Sequence, residues 1–263
     1  MGVISSISLK ELNQLFCEYS FTKIEPTSNG TIDTTYIVST KTKSYILKKY
    51  ERDIPQKIKA DTKLLGTLNE SGLNVPLLLL TYDGWYLYKK LDGHSPKWVQ
   101  PYHIVTLARF ISKLHLETKK MKSSSDFIES YDLKSMLNYT KKHHYSYFKK
   151  LQILTSYKTK NEGFIHGDMF KDNTVFDGSK IGVFDFIDSG NGEFLFDIAV
   201  ALSAFNPSKR QLYLNLFIKT YNQHAPKKIE KKALMKMLKV ASSFYALLRI
   251  DMYKNTAKAR ELL

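Results

Sequence analysis

The stretch Phe164-Ile-His166-Gly-Asp168-Met-Phe-Lys-Asp-Asn173-Thr-Val-Phe176, continued by Ile181-Gly-Val-Phe-Asp185-Phe-Ile-Asp188, decides how the chain is read. Asn173 follows Asp168 by five residues, and Asp185 follows Asn173 by 12, at the end of an apolar run. Residues 174–176 and 181–184 are short, β-branched and aromatic, and Asp177-Gly178 between them is a hairpin signal. A hairpin of this kind holds the flanking polar side chains on rigid backbone. Asn173 and Asp185 offer hard oxygen donors of the type Mg²⁺ takes. The competing reading is a loop whose acidic residues only make turns. Any one of these residues alone would favour that reading; His166, Asp168, Asn173, Asp185 and Phe186 in this order favour a site.

Outward from this block, the N-terminal third reads as a small sheet with helices. Residues 9–16 form a short opening helix, and residues 31–38 and 44–50 form two strands rich in Tyr, Ile, Val and Thr. Asn29-Gly30 marks a turn before the first of them, and Ser39-Thr-Lys-Thr-Lys43 joins the two. Residues 58–68 carry apolar side chains at helical spacing, closed by Gly72 and Pro76. Residues 75–80 and 85–91 form a further hairpin around Tyr82-Asp-Gly84. After Gly93 the periodicity is helical over 102–116, 135–154, 210–223 and 231–253, with a polar loop at 122–126. The expectation is an α+β chain in two lobes: a β-rich N-terminal lobe, 1–91, and a mainly helical C-terminal lobe, 92–263. A cleft between such lobes is a favoured place for a small ligand.

Composition narrows the function classes. The 263 residues are 43% hydrophobic and 25% charged, which excludes a disordered chain. No apolar run approaches the roughly 18–20 residues that span a bilayer, and the N-terminus lacks a basic and apolar leader. The expectation is therefore a cytoplasmic protein with no membrane partner. The single cysteine, Cys17, excludes an internal disulfide and a cysteine metal cluster, and reads as a small core residue. Forty Lys and Arg against 25 Asp and Glu give a net charge of +15. Arginine, the side chain suited to bidentate phosphate and base recognition, occurs only at 52, 109, 210, 249 and 260, and the lysines are scattered in pairs. The reading is no nucleic-acid partner, with a surface that attracts a small anionic substrate such as a nucleotide. His143-His144 point about 100° apart on a helix and have no partner at zinc spacing.

The 164–188 block resembles the protein-kinase catalytic loop H-R-D-x4-N with its later D-F-G, with Gly167 replacing the arginine and Ile187 the last glycine. It more closely resembles the aminoglycoside phosphotransferase-like kinases, which read HGD-x4-N and then a strand ending in D-F or D-W. Within that superfamily the Phe170-Lys-Asp172 filling and Asn191-Gly-Glu-Phe-Leu-Phe-Asp197-Ile-Ala199 are similar to the bacterial homoserine kinases. Asn29-Gly-Thr-Ile-Asp-Thr-Thr-Tyr36 resembles their nucleotide loop, with Asp33 where an asparagine is common. Tyr45-Ile-Leu-Lys48 resembles their phosphate-binding strand.

The resemblance implies a protein-kinase-like fold that uses ATP and Mg²⁺ to phosphorylate a small hydroxyl compound. First among these is L-homoserine, giving O-phospho-L-homoserine for threonine biosynthesis. It implies Asp168 as base or hydroxyl-positioning group, Asn173 and Asp185 on magnesium, and Lys48 on the nucleotide phosphates. Gly30 would lie in the phosphate loop, and the Lys89 carbonyl and Leu91 amide would meet adenine. Asp61 is the nearest acidic residue to the place where such kinases pair the lysine, and Asp197 is a buried aspartate ahead of a helix. His115 packs or hydrogen-bonds, His166 orients the loop, and Arg249 is a candidate for a substrate carboxylate. The catalytic block is shared by kinases of choline, aminoglycosides and methylthioribose, so these acceptors stay open. A nucleotide-binding protein without catalysis and a basic RNA-binding module are the readings from other classes. Oligomeric state is not legible in the sequence.

Overall fold

The structure is a computed structural model and describes residues 4–27, 32–121 and 126–263. The chain forms two compact units, residues 1–92 with 182–187, and residues 93–181 with 188–263.

The first unit is built on a five-stranded antiparallel sheet in the order β1-β2-β3-β5-β4. Its strands are β1 (Lys23–Pro26), β2 (Thr34–Ser39), β3 (Ser44–Lys49), β4 (Leu78–Tyr82) and β5 (Trp85–Lys89). Alternation places Tyr36, Leu47 and Leu87 side by side on one face, through the pairs Tyr36↔Leu47 and Leu47↔Leu87. Helix α1 (Leu9–Leu15) is opened by a capping box in which the Ser8 and Glu11 side chains each reach the other's backbone N–H. Its Leu12, with the following Phe16, packs onto that face beside Val38 and Trp85. Lys48 is one residue out of phase with Leu47 and lies on the other face with Tyr50, whose ring is 4.8 Å from its Nζ. Lys49 lies instead over the Trp85 ring. Helix α2 (Pro55–Glu70) buries Ile58, Asp61, Leu65 and Leu68, a single stripe that includes one carboxylate. Strand β1 was not foreseen: Glu25 and Pro26 are poor strand formers, and pairing with β2 holds them.

The second unit is mainly helical. Its helices are α3 (Pro101–Thr118), α4 (Leu133–His143), α5 (Tyr145–Leu151), α6 (Phe194–Phe205), α7 (Gln211–His224), α8 (Lys231–Asp251) and α9 (Thr256–Leu262). Helix α3 packs on α7, α6 on α8, and α4, α5 and α9 also contact α8. The helix expected over 135–154 is two helices, because His144 leaves helical geometry (φ −142°, ψ 53°) and a 3-10 turn at Gln152–Thr155 follows. Helix α6 is apolar on nearly every side and is correspondingly buried. Strand β6 (Gly163–Ile165) pairs with β9 (Gly190–Gly192), and β7 (Thr174–Asp177) pairs with β8 (Lys180–Val183) as the hairpin expected around Asp177-Gly178. Residues 182–187 then join the first unit, where the Val183 amide donates to the Asn74 carbonyl at 3.1 Å. Among the described residues no helix is long and apolar enough to cross a membrane.

Candidate active site

Strand β6 delivers the chain into His166-Gly-Asp168, and a buried carboxylate holds that turn. The Gly167 amide donates to Asp197 Oδ1 at 2.7 Å and the His166 amide to Oδ2 at 3.3 Å. His115 Nε2 lies 3.0 Å from Oδ2, and its Nδ1 lies 2.8 Å from the Tyr221 hydroxyl. Asp197 is fully buried. Burial by itself raises a carboxyl pKa; the hydrogen bond from His115 and the amide of Gly167, with the nearby imidazoles, outweigh it and hold Asp197 below the usual range. The sequence put Asp197 ahead of a helix, but it lies within the first turn of α6, where the free N–H groups and the dipole favour a negative charge. His115 has a hydrogen-bonding place on the far side of the same carboxylate.

Asp168 stands at the end of this turn. Its amide donates to His166 Nδ1 at 3.2 Å, which gives the histidine an orienting contact. Asn173 closes the 3-10 turn Lys171–Asn173, and its Nδ2 donates to Asp168 Oδ2 at 3.0 Å and to the Asp168 carbonyl at 2.8 Å. The sequence spacing of five thus becomes a direct bond. Gly167 sits at φ +78°, and a Cβ there would come within 2.2 Å of the Phe127 ring, so both conformation and space demand glycine. From α8 the Tyr245 hydroxyl reaches the Gly167 carbonyl at 2.5 Å and Asp168 Oδ1 at 3.1 Å. The sequence reading gave Tyr245 no role. Its signal is a tyrosine inside the apolar run 240–250, since a buried phenol nearly always has a partner.

The remaining described site residues belong to the first unit. Lys48 Nζ lies 3.0 Å from Asp185 Oδ1 and 3.6 Å from Asp33 Oδ2. Burial opposes the Lys48 charge, but Asp185, Asp33 and Asp61 together outweigh it and raise its pKa above the ordinary lysine value. The sequence left open whether Asp61 pairs with Lys48. Asp61 acts on Lys48 through charge, and ion pairs at 3.0 and 3.6 Å join Lys48 to Asp185 and Asp33. Asp33 also takes Arg52 at 3.4 Å and the Glu51 amide at 3.2 Å. Asp185 has φ +69°, a left-handed conformation that costs an L-residue on the order of 1 kcal/mol. Lys89 ends β5 with its amide on the Leu77 carbonyl. Leu91 is buried, and its amide makes no hydrogen bond among the described residues. Gly30 lies outside the described residues.

Asn173 in the second unit and Asp185 in the first each carry an oxygen donor of the kind magnesium takes. With Nδ2 on Asp168, Asn173 keeps its carbonyl oxygen for a cation, and Asp185 offers a half-exposed carboxylate. No cluster of three or more His, Cys, Asp or Glu that could form a metal site occurs among the described residues. Mg²⁺ does not require such a cage, since it is commonly held by one or two carboxylates with water and substrate phosphates. His143 rests on the Tyr139 ring, with centroids 4.5 Å apart. Arg249 lies over the Tyr253 ring at 5.3 Å. Cys17 is exposed and is not the core residue expected, because the chain has left α1 and Phe16 takes the inward position.

An antiparallel sheet unit, a helical unit, the Asp168–Asn173 turn and the Lys48–Asp185 pair are in keeping with a kinase-like phosphotransferase. Residues 23–227 match the family described as Phosphotransferase enzyme family, and the chain belongs to it. It is an α+β, protein-kinase-like chain and an ATP-dependent kinase of small molecules. A homoserine kinase of Methylobacillus flagellatus is 22% identical over 225 residues, covering 77% of this chain and 70% of the relative. Two solved structures share the fold. Amicoumacin kinase hAmiN, in complex with AMP-PNP, Ca²⁺ and Ami, gives a TM-score of 0.69 at 18% identity, over 97% of this chain and 89% of its own. A microcompartment-associated aminopropanol kinase gives 0.67 at 18% identity, over 97% and 95%.

Proposed function

We propose that this kinase transfers the γ-phosphoryl group of ATP to the side-chain hydroxyl of L-homoserine, giving O-phospho-L-homoserine for threonine biosynthesis in the cytoplasm. The observation that carries the reading is the Asp168 carboxylate, bonded to Asn173 on a turn anchored by Asp197, in a chain similar to homoserine kinases. Asp168 accepts the proton of the acceptor hydroxyl, or orients that hydroxyl in line with the γ-phosphate. Little covalent chemistry is asked of the protein; positioning and charge neutralisation dominate phosphoryl transfer. Lys48 exchanges its carboxylate partners for the nucleotide phosphates. Asn173 and Asp185 would hold Mg²⁺, which would offset phosphate charge. The backbone at Lys89 and Leu91 would meet adenine.

The test is ADP release with ATP, Mg²⁺ and an acceptor panel headed by L-homoserine and including choline, methylthioribose and kanamycin. Turnover on homoserine with little on the others is the expected result. Preference for another acceptor overturns homoserine and keeps the kinase. Asp168→Asn is expected to lower kcat by roughly 10²–10⁴ while leaving ATP binding within about twofold; a rate near wild type removes Asp168 from its role.

A further inference from the structure

Tyr245 touches the site from a helix remote in sequence. Its ring is fully engaged: the Phe170 ring meets it edge-on at 4.8 Å and 86°, and the Phe244 ring at 5.3 Å and 85°. The side chain is buried. Its hydroxyl reaches one oxygen of Asp168 while Asn173 bonds the other. Rotation of a carboxylate about χ2 is soft and two-fold. A donor on one oxygen leaves that rotation loose; here Asn173 donates to Oδ2, and the single Tyr245 hydroxyl proton, shared between the Gly167 carbonyl at 2.5 Å and Asp168 Oδ1 at 3.1 Å, restrains the other oxygen from a separate element. The same hydroxyl reaches the Gly167 carbonyl, and the Gly167 amide is held by Asp197. Gly167, the residue preceding Asp168, is thus held at its amide by Asp197 and at its carbonyl by Tyr245.

We propose that Tyr245 is a positioning residue for phosphoryl transfer, its hydroxyl holding the Asp168 carboxylate in the plane that meets the acceptor hydroxyl. The inference rests on the role given to Asp168 above. Tyr245 itself stays neutral, because burial and the adjacent Asp168 charge push its pKa well above the ordinary tyrosine value. It therefore acts as a donor and takes no proton from substrate.

A double-mutant cycle on the full chain tests this, with ADP release read on the best acceptor of the panel, or on ATP hydrolysis by water where no acceptor turns over. Tyr245→Phe is expected to lower kcat about ten- to a hundredfold, the range for losing a hydrogen bond to a charged group, with KM for ATP within about twofold. In an Asp168→Asn background the same substitution is expected to cost less than about twofold more, since the group it acts through is gone. Replacing Tyr245 by 4-aminophenylalanine, which keeps a donor at the para position, is expected to recover kcat to within about threefold of wild type. It also carries the test if the phenylalanine variant folds poorly. Tyr245→Phe at wild-type kcat overturns the proposal while Asp168 keeps its role. So does an undiminished loss in the Asp168→Asn background, which marks a purely structural effect. Wild-type rate for Asp168→Asn overturns the reading of Asp168 and this proposal with it.

Discussion

Asp197→Asn removes one charge from the buried centre of the helical unit while keeping the side chain's shape. The wild-type carboxylate takes the Gly167 amide at 2.7 Å and the His166 amide at 3.3 Å, and meets His115 Nε2 at 3.0 Å. Hydrogen bonds to a charged group contribute about 1.5–3 kcal/mol and neutral ones about 0.5–1.5, so three such exchanges remove roughly 3 kcal/mol. The new amide also turns N–H groups toward N–H donors, and a donor left without an acceptor in the interior adds about 1–3 kcal/mol. The expected loss is therefore about 4–6 kcal/mol. Urea denaturation of both proteins at pH 7 measures it. Amide hydrogen exchange localises it, with Gly167 and His166 expected to exchange at least about a hundredfold faster where local opening carries the loss. The sign with pH is fixed by the lowered Asp197 pKa. Its contribution is fully present above the ordinary carboxylate range, near pH 4, and is lost as pH falls through the lower folded value. The gap between variant and wild type should therefore narrow in acid. A variant within about 1 kcal/mol of wild type, with Gly167 equally protected, would refute the view that Asp197 anchors the His166–Asp168 turn.

Lys48→Met is expected to raise KM for ATP at least about tenfold, since a methionine cannot exchange carboxylates for phosphates; an unchanged KM would remove Lys48 from the nucleotide site. Gly167→Ala should destabilise by about 2 kcal/mol or more, from positive φ together with the clash against the Phe127 ring. Gly66→Ala, inside α2 with nothing within 4 Å of the added Cβ, should stabilise by up to about 1 kcal/mol. Thermal denaturation of the two alanine variants side by side decides both, and matching shifts would contradict the packing argument.

Much of the secondary structure was legible because it is written in short-range patterns. Residues 44–50 and 102–116 declare their type by alternation and by helical spacing, and β3 and α3 fall there. The spacing of Asp168 and Asn173 was legible for the same reason, but the bond between them appears only in the structure, where the 3-10 turn Lys171–Asn173 brings the two side chains together. The break at His144 was not, because lysine, histidine and tyrosine on either side are all compatible with helix. Helix α9 escaped because residues 256–262 carry almost no apolar periodicity, and only contact with α8 holds them.

The sequence by itself determined the class of chemistry. A carboxylate, an amide and a second carboxylate at fixed spacing, with a lysine on an early strand, are local facts that need no long-range contact to be read. Only the tertiary structure decided who supports them. Lys48 meets Asp185 across 137 residues and takes Asp33 besides, and Asp168 receives Tyr245 across 77. His115 reaches Asp197 across 82. Such partners are chosen by how strands and helices pack, and a chain read residue by residue carries no distance between elements that meet only after folding.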